Sequence, residues 1–141
     1  MYKNKIVIVV TAVFLLLFVP GSAFALSEET PVDSPDLPNY QYVDRITSSL
    51  SITKGTASVS VKVRDADGDT SKITCTLYLQ KYSGGSWNNI KSWFKSTDTN
   101  QLAMSYTKAV NKGKYRTKAV VKAYKGNSHE TITKYSKICS Y

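Results

Sequence analysis

The sequence predicts an all-β protein: a single immunoglobulin-like antiparallel β-sandwich of about seven strands, behind an N-terminal signal peptide. Three observations predict it. Apolar and polar residues alternate with period two in seven short segments between Arg45 and Cys139, the pattern of strands with one buried and one wet face. Turn-forming residues separate these segments at regular spacing. No segment beyond the leader carries a sustained apolar repeat at helical spacing.

The leader accounts for residues 1–25. Lys3 and Lys5 give a positive start, Ile6 to Val19 is apolar except for Thr11, Pro20-Gly21 breaks the run, and Ala23-Phe24-Ala25 offers a small-x-small cleavage site. This is the tripartite layout of a secretory signal, with an apolar run short for a membrane span. No Cys follows it to take a lipid, and no second apolar run would hold the mature chain in a membrane. Residues 26–40 read as a disordered acidic tether: Glu28, Glu29, Asp33 and Asp36 lie among Pro31, Pro35 and Pro38, with almost nothing to bury. Residues 41–141 are left to form one domain with one core.

Within that domain, Ile46, Leu50 and Ile52 alternate with Thr47, Ser49 and Ser51. Lys54-Gly55 turns the chain into Ala57, Val59, Val61 and Val63, which alternate with Ser58, Ser60, Lys62 and Arg64. Asp65-Ala-Asp-Gly-Asp69 is the next turn. Ile73, Cys75, Leu77 and Leu79 form the inward set of the third strand. Ser83-Gly-Gly-Ser86 leads into the fourth, Trp87 to Phe94, where simple alternation places Trp87 and Trp93 on one face and Ile90 and Phe94 on the other. Gln101 to Lys108 alternates through Leu102, Met104 and Tyr106. Leu102, Tyr106 and Val110 are also four apart, but the Thr, Ser and Tyr content favours strand over helix. After Lys112-Gly113, a sixth strand runs through Tyr115, Thr117, Ala119, Val121 and Ala123. Gly126-Asn127 then closes a hairpin with Thr131 to Cys139. Tyr115, just after the turn that opens the sixth strand, stands where immunoglobulin-like sandwiches place a tyrosine corner.

The run L-x-L-Q-K-x-x-x-G-x-W-x-x-I-x-S-W, from Leu77 to Trp93, and the later G-K-Y-R-x-K, from Gly113 to Lys118, resemble a family of small exported proteins of Gram-positive anaerobes that carry a domain of unknown function. More loosely, the chain is similar to immunoglobulin and fibronectin type III modules. The resemblance implies export and a sandwich fold, and it brings no activity and no functional residue.

Charge and cysteine usage bound the function. From Gln41 onward 17 basic residues stand against 6 acidic ones. A cationic exported domain is drawn to anionic polymers or surfaces, although Lys on wet strand faces also keeps sheet edges from pairing. Cys75 and Cys139 are the only cysteines, and an exported setting favours a disulfide between them. The proposed topology argues against it. If Ser71 pairs near Lys125 and Lys125 near Glu130, Cys75 faces about Val121 and Cys139 lies near Arg116, roughly 17 Å away along the strand, where a disulfide needs Cα atoms within about 7 Å. Both outcomes stand open at this level.

Two constellations invite a site. Tyr78, Tyr82, Trp87 and Trp93, with Lys91 nearby, can make a basic aromatic face on which sugar rings or bases stack. Asp65, Asp67 and Asp69 surround a glycine and supply the hard oxygens that Ca²⁺ takes, but Gly68 and Thr76 fall where an EF-hand loop needs other residues, and Asp-Gly is also an ordinary turn. No other cofactor is expected. His129, the single histidine, sits beside Glu130 in a turn, and no nucleophile, base and orienting group assemble from these residue types. The sequence therefore reads as a non-enzymatic secreted module, extracellular or attached to the cell envelope, that contacts a wall polymer, a glycan or an extracellular protein. Nucleic acid suits the charge but not export. The alternative is a small cationic effector, bacteriocin-like or toxin-like, acting on anionic surfaces.

Overall fold

The computed structural model describes residues 40–141. The signal peptide expected at 1–25 and the tether expected at 26–40 lie outside the described residues, Tyr40 excepted. The strands are β1 (Arg45–Thr53), β2 (Thr56–Arg64), β3 (Lys72–Ser83), β4 (Ser86–Thr97), β5 (Gln101–Ala109), β6 (Lys114–Lys125), β7 (Ser128–Tyr135) and β8 (Cys139–Ser140). They form two antiparallel sheets that pack as a β-sandwich. One has the order β1-β2-β5. The other runs β4-β3-β6-β7, with β8 also pairing with β6. With β1, β2 and β3 lettered A, B and C, β4 lettered C′, and β5, β6 and β7 lettered E, F and G, the sheets are A-B-E and C′-C-F-G, an immunoglobulin-type arrangement in which the fourth strand pairs beside C.

The core follows from strand alternation. Ala57, Val59, Val61 and Val63 of β2 face Ile73, Cys75, Leu77 and Leu79 of β3 and Ala119, Val121 and Ala123 of β6 across the sandwich, all of them buried. Each buried Val, Leu or Ile among them contributes roughly 1.5–3 kcal/mol. Val43 belongs to this core, and Tyr40 and Tyr42 pack against it. The segment 101–109 is strand along its whole length, paired with β2 from Arg64↔Gln101 to Thr56↔Ala109. Burial of Leu102 and Met104 on the inner face outweighs the four-residue spacing.

Tight turns fix the registers. Lys54 and Gly55 have φ of 48° and 76°, the double positive φ of a type I′ hairpin, which matches the twist of β1 and β2. On the other sheet, Cys75 lies opposite Val121, the rung reached from the sequence. The β6–β7 register is two residues off the expected Lys125–Glu130 pairing: Lys125 lies opposite Ser128, because Gly126-Asn127 alone makes the turn.

The expected last strand, Thr131 to Cys139, is broken. β7 ends at Tyr135, and β8 resumes pairing opposite Tyr115 and Lys114. At the break Ser136 substitutes for a ladder partner: its Oγ accepts the N–H of Thr117 at 2.9 Å, and its own N–H donates to the Thr117 carbonyl at 3.2 Å.

The disulfide left open by the sequence is not formed. Cys75 and Cys139 are free thiols. Their partner rungs on β6, Val121 and Tyr115, are six residues apart, roughly 20 Å along a strand.

Candidate functional site

The sequence-predicted ligand residues gather around β3 and β4, but one irregularity divides them. Tyr82 pairs with Trp87 and Gln80 with Asn89, whereas Leu79 pairs with Lys91 and Leu77 with Trp93. Ile90 is therefore an extra residue, a β-bulge, and side-chain parity reverses across it. Trp87 and Trp93 consequently lie on opposite faces of the sheet, which corrects the single-face expectation. Trp93 turns to the core side and stacks on Tyr106 of β5, with ring centroids 5.1 Å apart and planes 2° from parallel. It closes the side of the sandwich between β4 and β5. Lys91 sits on the rung of buried Leu79, exposed at the edge strand. It still borders a depression of about 400 Å³ with Tyr78, Asn89, Ile90 and Ser92.

Outward positions of β3 (Tyr78, Gln80, Tyr82) and of β6 (Arg116, Lys118, Val120, Lys122, Tyr124) share one face with Trp87 and Phe94 of β4 and Tyr135 of β7. At one end of this face the side chains interlock. The Arg116 guanidinium lies 4.3 Å from the centroid of Trp87 and 4.3 Å from that of Tyr135, a cation held between two rings. Its Nε donates to Gln80 Oε1 at 2.8 Å, and Gln80 Nε2 donates to Asn89 Oδ1 at 2.8 Å. Tyr82 leans on Trp87 with centroids 5.3 Å apart at 57°. Because Gln80 is 6% exposed, its two hydrogen bonds are needed there, and they fix Arg116 from below. The guanidinium occupies one face of Trp87 and the Tyr82 ring leans on it, so the half-buried indole is braced. Tyr82, Tyr135 and Phe94, at 43%, 44% and 65% exposure, are the rings left accessible. Towards the other end, Thr74, Thr76, Phe94, Val120, Lys122 and Tyr124 line a second depression of about 250 Å³.

Arg116, Tyr135, Gln80 and Asn89 are the parts of this surface that sequence reading misses. A signal for Arg116 existed: the β3–β6 register reached from Ser71 and Lys125 sets Arg116 opposite Gln80. Nothing in composition gives the bulge that sets Trp87 over it.

The aspartates act within their loop. Asp65 is 3% exposed. Its Oδ1 accepts the N–H groups of Asp67 at 3.0 Å and Gly68 at 3.1 Å, and its Oδ2 accepts that of Thr70 at 2.7 Å. Asp69 pairs with Lys125. Asp67 is exposed. Among the described residues no group of three or more His, Cys, Asp or Glu side chains converges around a metal-sized point. Tyr115 is buried, and its hydroxyl donates to the Asn111 carbonyl at 2.6 Å, a bond back across the turn that opens β6. His129 packs on the ring of Tyr124 at 5.3 Å, while Glu130 accepts the N–H groups of Gln41 and Tyr42 at 3.0 Å each.

No protein-family model matches the chain, and no curated protein matches it. Among solved structures it aligns with catalytically inactive OgpA from Akkermansia muciniphila in complex with an O-glycopeptide substrate, at 12% identity and a TM-score of 0.37, over 68% of this chain and 29% of that one. A likeness of that size carries no argument about function.

Proposed function

We propose that this protein is a secreted, non-enzymatic β-sandwich module that works at or near the cell envelope, and that it holds a glycan or wall polymer on the outer face of the four-stranded sheet. One observation carries the reading. The exposed and half-exposed aromatic side chains of the two sheets' outer faces are concentrated on this one face, where a fixed arginine braces Trp87 and Tyr135. The outer face of the three-stranded sheet has none. Accessible rings offer apolar contact to sugar faces, Asn89 and Lys118 offer hydrogen bonds, and the bracing lowers the entropy cost of presenting them.

The test separates the two tryptophans. Binding of the purified protein to isolated cell wall and to a glycan array is compared with that of Trp87→Ala, Tyr135→Ala and Trp93→Ala. Trp87→Ala and Tyr135→Ala are expected to lose about tenfold or more in affinity while keeping the wild-type melting transition. Trp93→Ala is expected to keep its ligand contacts and lose stability, by about 3 kcal/mol. Unchanged binding by folded Trp87→Ala and Tyr135→Ala would overturn the assignment of this face.

A further inference from the structure

The outer face of the three-stranded sheet has a different chemistry. From the Ser49–Ser60–Ser105 rung to the β1–β2 hairpin, every outward position is Ser, Thr or Ala. At the opposite end the face changes abruptly. Arg45 lies directly opposite Arg64, and Lys62 follows two residues from Arg64 on the same face, opposite Thr47. Ala103 completes the Lys62 rung and Gln101 the Arg64 rung. Because Thr47 and Ala103 are small, the three cationic side chains rim a depression of about 540 Å³.

This arrangement works against the fold. Like charges directly opposite on paired strands repel. Two of the chain's three arginines are spent on such a pair. Among the described residues no carboxylate lies within salt-bridge distance of Arg45, Lys62 or Arg64; the one ion pair is Lys125–Asp69. The nearest acids along the chain are engaged elsewhere: Asp44 accepts the N–H of Ala66, and Asp65 is buried on its own loop amides. A local conflict without compensation inside the protein marks a functional position. Arg presents a planar fork of donors suited to oxyanions.

We infer that this depression binds the phosphate groups of a polyol-phosphate polymer, with Arg45 and Arg64 closing on one phosphate from two strands and Lys62 supplying the third positive charge. The occupant is chosen by the rest of the face. The exposed apolar residues Tyr82, Ile90, Phe94 and Tyr135 belong to the other sheet, and Ile138 and Tyr141 to the C-terminal segment, so nothing on this face inserts into a bilayer. No ring is present for bases to stack on. The flat rows of Ser and Thr hydroxyls that continue from the clamp supply donors and acceptors for the hydroxyls between successive phosphates. This assignment is independent of the ligand held on the aromatic face.

The experiment measures binding of the purified protein to poly(glycerol phosphate), with inorganic phosphate, a uronic-acid polymer, phosphatidylglycerol vesicles and duplex DNA as competing probes. Wild type is expected to bind poly(glycerol phosphate) most tightly, and more weakly as salt rises. The Arg45→Gln/Arg64→Gln double variant is expected to lose roughly tenfold or more in affinity. Its charge-matched control, Lys54→Gln/Lys108→Gln, removes two cations away from the depression and is expected to stay within about twofold. The double variant is also expected to melt no lower than wild type without ligand, since it relieves a repulsion. Equal losses in the two variants would reduce the effect to net charge and overturn the site. Tighter binding to vesicles, DNA or the carboxylate polymer would overturn the polyol-phosphate assignment. A melting temperature lowered by the arginine changes would show that the pair is structural.

Discussion

The carboxylate of Asp65 satisfies backbone donors that no strand reaches. The N–H groups of Asp67, Gly68 and Thr70 all end on its two oxygens, so the loop leaving β2 is tied down by one side chain. Burial on its own raises the Asp65 pKa, but the bonds from Thr70, Gly68 and Asp67 together outweigh it and hold the carboxyl below its usual value. A depressed folded pKa gives stability that is present above the unfolded value, about 3.9, and lost as pH falls through the folded one. Asp65→Ala strands three amides and is expected to destabilise the protein by about 2–3 kcal/mol at neutral pH. Asp65→Asn, whose amide oxygen still accepts, is expected to cost less, and to remove part of the acid sensitivity. Urea unfolding at pH 7 and near pH 3 checks both. Equal acid sensitivity in wild type and Asp65→Asn would show that other carboxylates carry it. The same geometry gives the Asp cluster a structural role that its composition alone does not show: two of the three carboxylates have partners inside the protein.

Strands were legible wherever apolar residues alternate without interruption. The inward sets Val59–Val61–Val63 and Leu77–Leu79 appear in the sequence as they stand in the core. The β3–β6 register was within reach because a polar loop and a glycine turn bound those strands. What stayed hidden required counting residues on two strands at once. Ile90 gives no sign in sequence that it is one residue too many, yet it decides which tryptophan is core and which is surface. The Arg45–Arg64 pair was equally invisible, because the two arginines meet only through the β1–β2 register. The bulge can be tested directly. Deleting Ile90 makes the Asn89–Gln80 and Lys91–Leu79 pairs consecutive rungs, so with the hairpin end in place Trp93 keeps its position on Tyr106 and Phe94 stays outward. A one-residue slip moves a whole hydrophobic set to the wrong face. The deletion avoids such a slip, so it is expected to cost no more than about 1.5 kcal/mol and to leave the tryptophan emission of the folded state unchanged. Emission shifted towards solvated indole in a folded deletion variant would show that the Asn89–Gln80 and Lys91–Leu79 rungs do not join into one regular ladder and that the bulge assignment is wrong.

Taken as a whole, the sandwich protects its two thiols by different routes, which makes them reporters of different motions. Cys75 lies at 0% exposure between the sheets, and burial pushes its pKa up to about 12. At mildly alkaline pH it is neither ionised nor reachable until the sheets separate, because the thiolate is the reacting species. Cys139 is half-buried on β8, a strand of two residues, and its Sγ donates to the Leu50 carbonyl at 3.2 Å. It bridges to β1 from a strand of only two residues, where local opening costs far less than global unfolding. Labelling of native protein with a thiol reagent near pH 8 is therefore expected to modify Cys139 first, at a rate nearly independent of low urea. Cys75 labelling is expected to be slower by orders of magnitude and to accelerate with urea along the slope of global unfolding. Cys139→Ser is expected to leave only the slow, urea-dependent phase. If Cys75 labels as fast as Cys139, the two sheets open without unfolding, and the joined core described for β2, β3 and β6 is not a single cooperative unit. If neither residue labels before complete denaturation, β8 belongs to that cooperative unit despite its length, and the Cys139–Leu50 bond is part of what holds the two sheets together.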